Sequence, residues 1–179
     1  MDPMTRAAHP PGSTDPTGEF PLGPSEYLFF LAFLTTRYRD VALDPLLGQV
    51  CLSVPRWRAL AAIRRIESCT MSQLSRFAGI DRTTLTRSVD HLVAEGLVDR
   101  WTPNRDRRLV KLALSQAGSE LYGKAVKVMM GVSATAVAGI AEEELRQAAR
   151  TLQAVLRNLI GDQHAVEELL SFGRSGPAN

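Results

Sequence analysis

Two groups of residues carry the side chains with the clearest chemical meaning. Thr83, Thr84, Arg87, Asp90 and His91 recur at spacings that share the outward side of one short helix, with Arg82 and Thr86 flanking them. Arg105, Asp106, Arg107 and Arg108 crowd a turn a few residues later. Arginine pairs bidentately with guanine, threonine meets base edges or thymine methyls, and clustered arginines neutralise phosphates. The chemistry implied is recognition of duplex DNA. Asp106 is better explained by its arginine neighbours than by acid–base work. The chain has no glycine-rich phosphate loop, no Gly-x-Ser-x-Gly elbow and no paired acid and base motif, so it does not read as an enzyme. His9, His91 and His164 are scattered and no Cys-x-x-Cys spacing occurs, so neither a metal nor another cofactor is expected.

The elements that must position these groups lie in residues 71–115. The pattern there is helix, tight turn, helix, strand, arginine-rich turn, strand. Ser72 is the expected cap of the first helix, whose Leu74, Phe77 and Ala78 form one apolar face. Gly79 ends it, and Ile80 turns inward. Asp81 is the expected cap of the second helix, and its charge suits a helix N-terminus. Leu85, Val89, Leu92 and Val93 cluster on that helix's inner side, and Gly96 ends it. Val110, Leu112 and Leu114 then alternate with Lys111 and Ala113, the period of a half-buried strand, and Pro103 and Asn104 mark the turn. Residues 100–111 hold five basic residues and one acid, while the whole chain is only +2, so the positive charge is concentrated in this hairpin. An arginine-rich turn alone is ordinarily a solvated loop. Order, spacing and charge together predict a winged helix-turn-helix bound to DNA. Ser72 and Gln73, at the start of the first helix, are expected at the phosphate backbone.

These residues resemble the multiple-antibiotic-resistance regulator (MarR) family. DRTTLTRSVDHLVAEGLVDR resembles its recognition helix and first wing strand. DRRLVKLALSQAG (106–118) resembles its wing signature, and LSVPRWRALAAI (52–63) its second helix. The resemblance spans residues 25 to about 162. It implies a homodimer with a winged domain on each side of a helical dimerisation region. It implies that the helix over 81–95 enters the major groove. It also implies that Arg107 reaches the minor groove while Asp106 orients neighbouring arginines. The family mostly represses transcription, and many members release DNA on binding small aromatic acids, other phenolics or drugs. An effector pocket between the dimer helices and the winged domain follows from the resemblance alone, with Tyr38, Trp57 and Arg58 as its candidates. Trp57 read by itself suits a core, and Arg58 suits the solvent or DNA side.

The remaining chain supports a mainly α fold with a small β-hairpin (α+β), a winged helix-turn-helix with a helical dimerisation region. Residues 1–24 hold six prolines and three glycines, a composition that does not order itself. They lack the basic start and apolar run of a signal peptide. Residues 25–50 form an expected dimerisation helix, with Tyr27 to Leu34 apolar on nearly all sides, too short to cross a bilayer, and Pro45 ending or kinking it. Residues 51–115 are the winged domain, in which Ser53 is expected to cap a helix carrying Trp57, Leu60, Ala61 and Ile63 inward. Residues 116–172 supply further dimerisation helices. Ser115 caps the first, a break falls near Gly139, and Glu142, Glu143 and Glu144 open the next. That helix carries the stripe Leu145, Ala149, Leu152, Leu156, Leu159 and Ile160, and 164–172 is expected to extend it. Residues 173–179 fray.

The expected protein is therefore a cytoplasmic homodimeric repressor of a pseudo-palindromic operator, released by a small aromatic or phenolic ligand and without a membrane partner. Two alternatives remain. One is a thiol redox sensor using Cys51 or Cys69, although neither matches the family's known sensing position and both suit small hydrophobes. The other is a winged-helix protein-interaction module, against which the wing charge argues.

Overall fold

The computed structural model describes residues 23–103 and 109–174. In chain order these form α1 (Pro24–Gly48), α2 (Val54–Ile66), α3 (Met71–Phe77), α4 (Arg82–Ala94), β1 (Val98–Trp101), β2 (Lys111–Leu114), α5 (Gln116–Ala136), α6 (Glu142–Ile160) and α7 (Gln163–Arg174). The architecture is mainly α with one antiparallel hairpin, a winged helix-turn-helix. No described helix is long and apolar enough to cross a membrane.

Two compact units divide between Arg37 and Tyr38, inside α1. The first is helical from Pro24 and exposes Phe29, Phe30, Leu31 and Phe33, with the Tyr27 and Phe30 rings stacked. The second holds the core. Leu43 and Leu47 from the end of α1 join Trp57, Leu60 and Ile63 of α2, Leu74 of α3, and Leu85, Val89 and Leu92 of α4. Val98 and Leu112 from the hairpin and Ala125 from α5 complete it. The α2 helix lies at the centre, packed on α3, α4, α5 and β2. Pro45 does not end α1, which continues to Gly48.

Several local expectations change. The cap of α3 is Thr70, not Ser72. The Thr70 hydroxyl accepts from the Gln73 amide at 3.2 Å, and the Gln73 side-chain oxygen accepts from the Thr70 amide at 2.9 Å. This reciprocal pair satisfies two amides that helix geometry leaves free, which a lone serine at position 72 does not. Ser53 occupies the N-cap of α2 without a side-chain bond, and Pro55 in the first turn supplies the ready-made φ instead. Val110 lies outside the strand and is exposed; pairing begins at Trp101 opposite Lys111 and runs to Val98 opposite Leu114. Cys69 adds a further rung, donating to and accepting from Leu112 at 3.0 and 2.8 Å. Finally, α7 is a separate helix rather than an extension of α6. Gly161 breaks the path, and the Asp162 carboxylate accepts from the His164 and Ala165 amides at 2.9 and 3.2 Å.

Ser115 joins the wing to α5 in both directions. Its hydroxyl accepts from the Gly118 amide at 3.0 Å and donates to the Gly96 carbonyl at 2.7 Å. This draws the first turn of α5 onto the α4–β1 connection so closely that a Cβ at Gly118 would stand 1.9 Å from the Leu97 carbonyl oxygen. Both partners are backbone, so neither side can swing away. Gly118→Ala should therefore destabilise the protein by about 1–3 kcal/mol, against a helix-propensity gain of about 1 kcal/mol. The urea midpoint measures this, and a midpoint equal to or above wild type would refute the close approach.

Candidate nucleic-acid interface

Helix α4 is built to bury one side and present the other. Leu85, Val89 and Leu92 have no exposed surface, Ser88 is buried and donates to the Thr84 carbonyl at 2.8 Å, and Val93 is half-buried. Arg82, Thr83, Thr86, Arg87, Asp90 and His91 are exposed. Positions 83, 87 and 91 are four apart, so they stack along one outward line with Arg87 in the middle. The side chains of Arg82, Thr83, Arg87 and His91 have no hydrogen-bond partner among the described residues. Thr86 differs: its hydroxyl donates back to the Arg82 carbonyl at 2.9 Å, leaving its lone pairs and methyl to face outward. Thr84 is half-buried and belongs to the cap.

That cap is Asp81, whose carboxylate accepts from the Thr84 amide at 2.9 Å. Bonds from the Thr84 hydroxyl, then from the Thr84 amide, hold the Asp81 carboxyl below the usual carboxylate range. Gly79, at φ +62°, supplies the left-handed step between α3 and α4 that residues with a Cβ resist.

On β1, Arg100 shares a face with buried Val98 and extends to Asp90 on α4 at 2.5 Å. This pair occupies the single carboxylate on the outward side of α4, which would otherwise repel phosphate. Sequence spacing alone did not reveal it, because the partners meet only when the hairpin folds back. Lys111 donates to the Ser68 carbonyl at 3.0 Å and so braces the wing. The Gln73 side-chain oxygen is engaged in the α3 cap, whereas Ser72 is exposed. Arg105, Asp106, Arg107 and Arg108 lie outside the described residues.

The effector candidates do not converge. Tyr38 is 64% exposed on α1, Trp57 is buried and stacks on Tyr122 with ring centroids 5.5 Å apart, and Arg58 pairs with Asp40 at 2.6 Å. A cleft of 370 Å³ is lined instead by Val50, Cys51, Glu95, Leu97, Ala117, Glu120, Leu121 and Lys124. Cys51 is exposed, while Cys69 is buried, and burial pushes its thiol up despite nearby Lys111. A protonated, enclosed thiol is a poor nucleophile. No group of His, Cys, Asp and Glu suited to a metal ion occurs among the described residues.

Comparison with known proteins places this geometry. The family model describing the MarR family matches residues 52–109, the segment that holds α2, α3, α4 and β1. Over that segment the chain is similar to MarR-family regulators. The HTH-type transcriptional repressor IacR of Pseudomonas putida is 26% identical over 131 residues, 73% of this chain and 78% of that protein. The organic hydroperoxide resistance transcriptional regulator of Bacillus subtilis is 27% identical over 135 residues, 74% and 88% of the two chains. A MarR-family regulator from Silicibacter pomeroyi superposes with a TM-score of 0.67 at 25% identity, over 79% of this chain and 95% of its own. Two more distant structures share the fold. A mutant MarR from E. coli complexed with operator DNA has a TM-score of 0.65 at 22% identity, over 73% and 94% of the two chains. An organohalide-sensing regulator bound to 2,4-dichlorophenol has a TM-score of 0.67 at 19% identity, over 78% and 83%. The relatives that this chain resembles are transcriptional regulators.

The Asp81 cap gives this helix-turn-helix an acid dependence. With its native pKa below the unfolded value, Asp81 contributes stability that is full above the unfolded pKa, about 4, and is lost as pH falls through the native one. Asp81→Asn keeps a capping oxygen and removes the charge. Thermal midpoints followed downward from neutral pH should show the gap between wild type and Asp81→Asn closing below about pH 4. A constant gap would show that the charge plays no part.

Proposed function

We propose that this protein is a homodimeric repressor that reads a pseudo-palindromic DNA operator through α4 and the wing and is released by a small aromatic or phenolic ligand. The observation that carries the reading is the outward line of Thr83, Arg87 and His91 on a helix whose other side is fully buried. Unpartnered donors aligned on a rigid helix suit the major groove. The net charge of +4 across residues 100–111 suits the phosphates beside it. We assign Arg82, Thr83, Thr86, Arg87 and His91 to the groove, with Thr84 holding the helix start. Ser72 and Gln73 meet the phosphate backbone, and Arg105, Arg107 and Arg108, arranged by Asp106, meet the groove beside the wing.

Dimerisation is supported by apolar surface that the subunit leaves uncovered. No residue of α6 is buried, and Leu152, Leu156 and Leu159 are 44, 40 and 66% exposed on one stripe. In α1, Phe33 is 61% exposed. A second copy would cover such faces, and a two-fold dimer calls for half-sites about 10 bp apart. The ligand class is supported by the 2,4-dichlorophenol-bound regulator of the same fold, and repression by the P. putida repressor. A thiol-sensing variant of this reading is favoured by the B. subtilis hydroperoxide regulator and rests on Cys51, since Cys69 is enclosed.

Selection from random duplexes with the full chain should recover an inverted repeat, and a gel shift on it should weaken with phenolic acids. Recovery of no motif would leave a protein-interaction module as the better reading. Arg87→Ala should relax base preference at one position per half-site, with a loss of about 1–3 kcal/mol. Arg107→Ala should weaken binding across sequences and flatten the salt slope by about one unit per site; an unchanged slope would count against a wing contact. Because Leu159 is not buried within the subunit, Leu159→Glu should yield a folded monomer in sedimentation, and an undisturbed dimer would exclude α6 from the interface.

A further inference from the structure

Arg58 joins three elements with one side chain. It stands on α2, and its guanidinium donates through Nη2 to the Asp40 carboxylate of α1 at 2.6 Å and through Nη1 to the Gly79 carbonyl at 3.1 Å. Gly79 is the left-handed residue of the turn, two positions before the Asp81 cap of α4. A guanidinium is planar and rigid, so its two occupied nitrogens hold their acceptors at a fixed spacing. Lysine, a point charge on a flexible stem, cannot do the same. The Arg58 and Asp40 side chains are 27 and 30% exposed, a setting in which an ion pair adds little to stability. What the bridge supplies is geometry: it fixes where the turn, and hence the first residues of α4, lie relative to α1 and α2.

We propose that Arg58 is a positioning residue for DNA reading, setting the start of α4 through the Gly79 carbonyl and anchored by Asp40. The proposal rests on the DNA-binding reading above. Base contacts through hydrogen bonds tolerate errors of only a few tenths of an ångström. A displaced Asp81–Thr84 turn therefore degrades base reading more than it degrades the looser attraction to phosphates. Two of the five guanidinium N–H donors of Arg58 are committed to Asp40 and Gly79, and an unchanged salt slope is what separates this positioning role from a direct phosphate contact.

The test compares full-length wild type, Arg58→Met, Arg58→Lys, Asp40→Asn and the double variant Arg58→Met/Asp40→Asn. The probes are the duplex that wild type recovers by selection and a scrambled duplex of equal length. Dissociation constants are measured from about 50 to 200 mM salt, and thermal midpoints are recorded alongside. Arg58→Met should bind the selected duplex about 3- to 30-fold more weakly. The scrambled duplex should shift by less than about twofold. The salt slope should not change, and the midpoint should remain well above the assay temperature. Asp40→Asn should lose part of the same affinity, Arg58→Lys should recover only part, and the double variant should be no weaker than Arg58→Met. Selected-duplex affinity within about twofold of wild type would overturn the proposal. So would an equal loss on both duplexes with a slope reduced by about 0.9, which marks a direct phosphate contact. If Arg58→Met does not fold, Arg58→Lys and Asp40→Asn are judged by the same criteria. Failure of wild type itself to prefer the selected duplex would instead refute the DNA reading.

Discussion

Leu85, Val89 and Leu92 hold α4 by one side, with none of their surface left to solvent. Everything proposed for the protein depends on that anchorage. A helix that reads a groove must be rigid in the subunit while keeping its outer donors unsatisfied, and those demands conflict unless its two sides are chemically different. Here α2 provides the floor, packing on α3, α4, α5 and β2. Burying these three apolar side chains contributes about 1.5–3 kcal/mol each, enough to fix the helix against the polar surface it displays.

The connections carry the precision. Thr70 and Gln73 close the start of α3, Asp81 closes the start of α4, and Ser115 closes the start of α5. Each cap satisfies amides that would otherwise want water, so each loop between helices is short and determinate. Ser115 also donates to Gly96, and Gly118 admits the Leu97 carbonyl, so the hairpin leaves α4 and enters α5 through one tightly packed corner. The Asp90–Arg100 pair and the Lys111–Ser68 bond then set the hairpin against the helices. These are exposed contacts of small energy. Their effect is orientation.

Outside the winged domain the logic reverses. The α6 helix has an apolar stripe yet no buried residue, and α7 folds back on it through Val166 and an Arg157–Glu167 pair. Apolar stripes of this length are seldom left in water. They are the physical basis for placing a second copy there.

Much of this was legible from residues 71–115 alone. Alternation of period two and the three- and four-residue spacing of leucines and valines respond to local geometry, so they marked α3, α4 and β2 directly. Asp81 and Ser115 as caps, Gly79 and Gly96 as stops, and the outward set around Arg87 followed from the same local rules. Thr70 and Gln73, three residues apart ahead of the apolar face of α3, carry a readable capping signature as well. Other features needed the folded chain. Cys69 as a partner of Leu112, Arg100 as a partner of Asp90, and Arg58 as a bridge from Asp40 to Gly79 each join residues 10 to 43 positions apart. No periodicity encodes them, because they exist only once burial of the apolar sides has brought the elements together. Sequence by itself thus determined which surfaces face in and which face out. Tertiary packing decided which charges meet, since a side chain's partner is a matter of distance in space, and distance is set by the core.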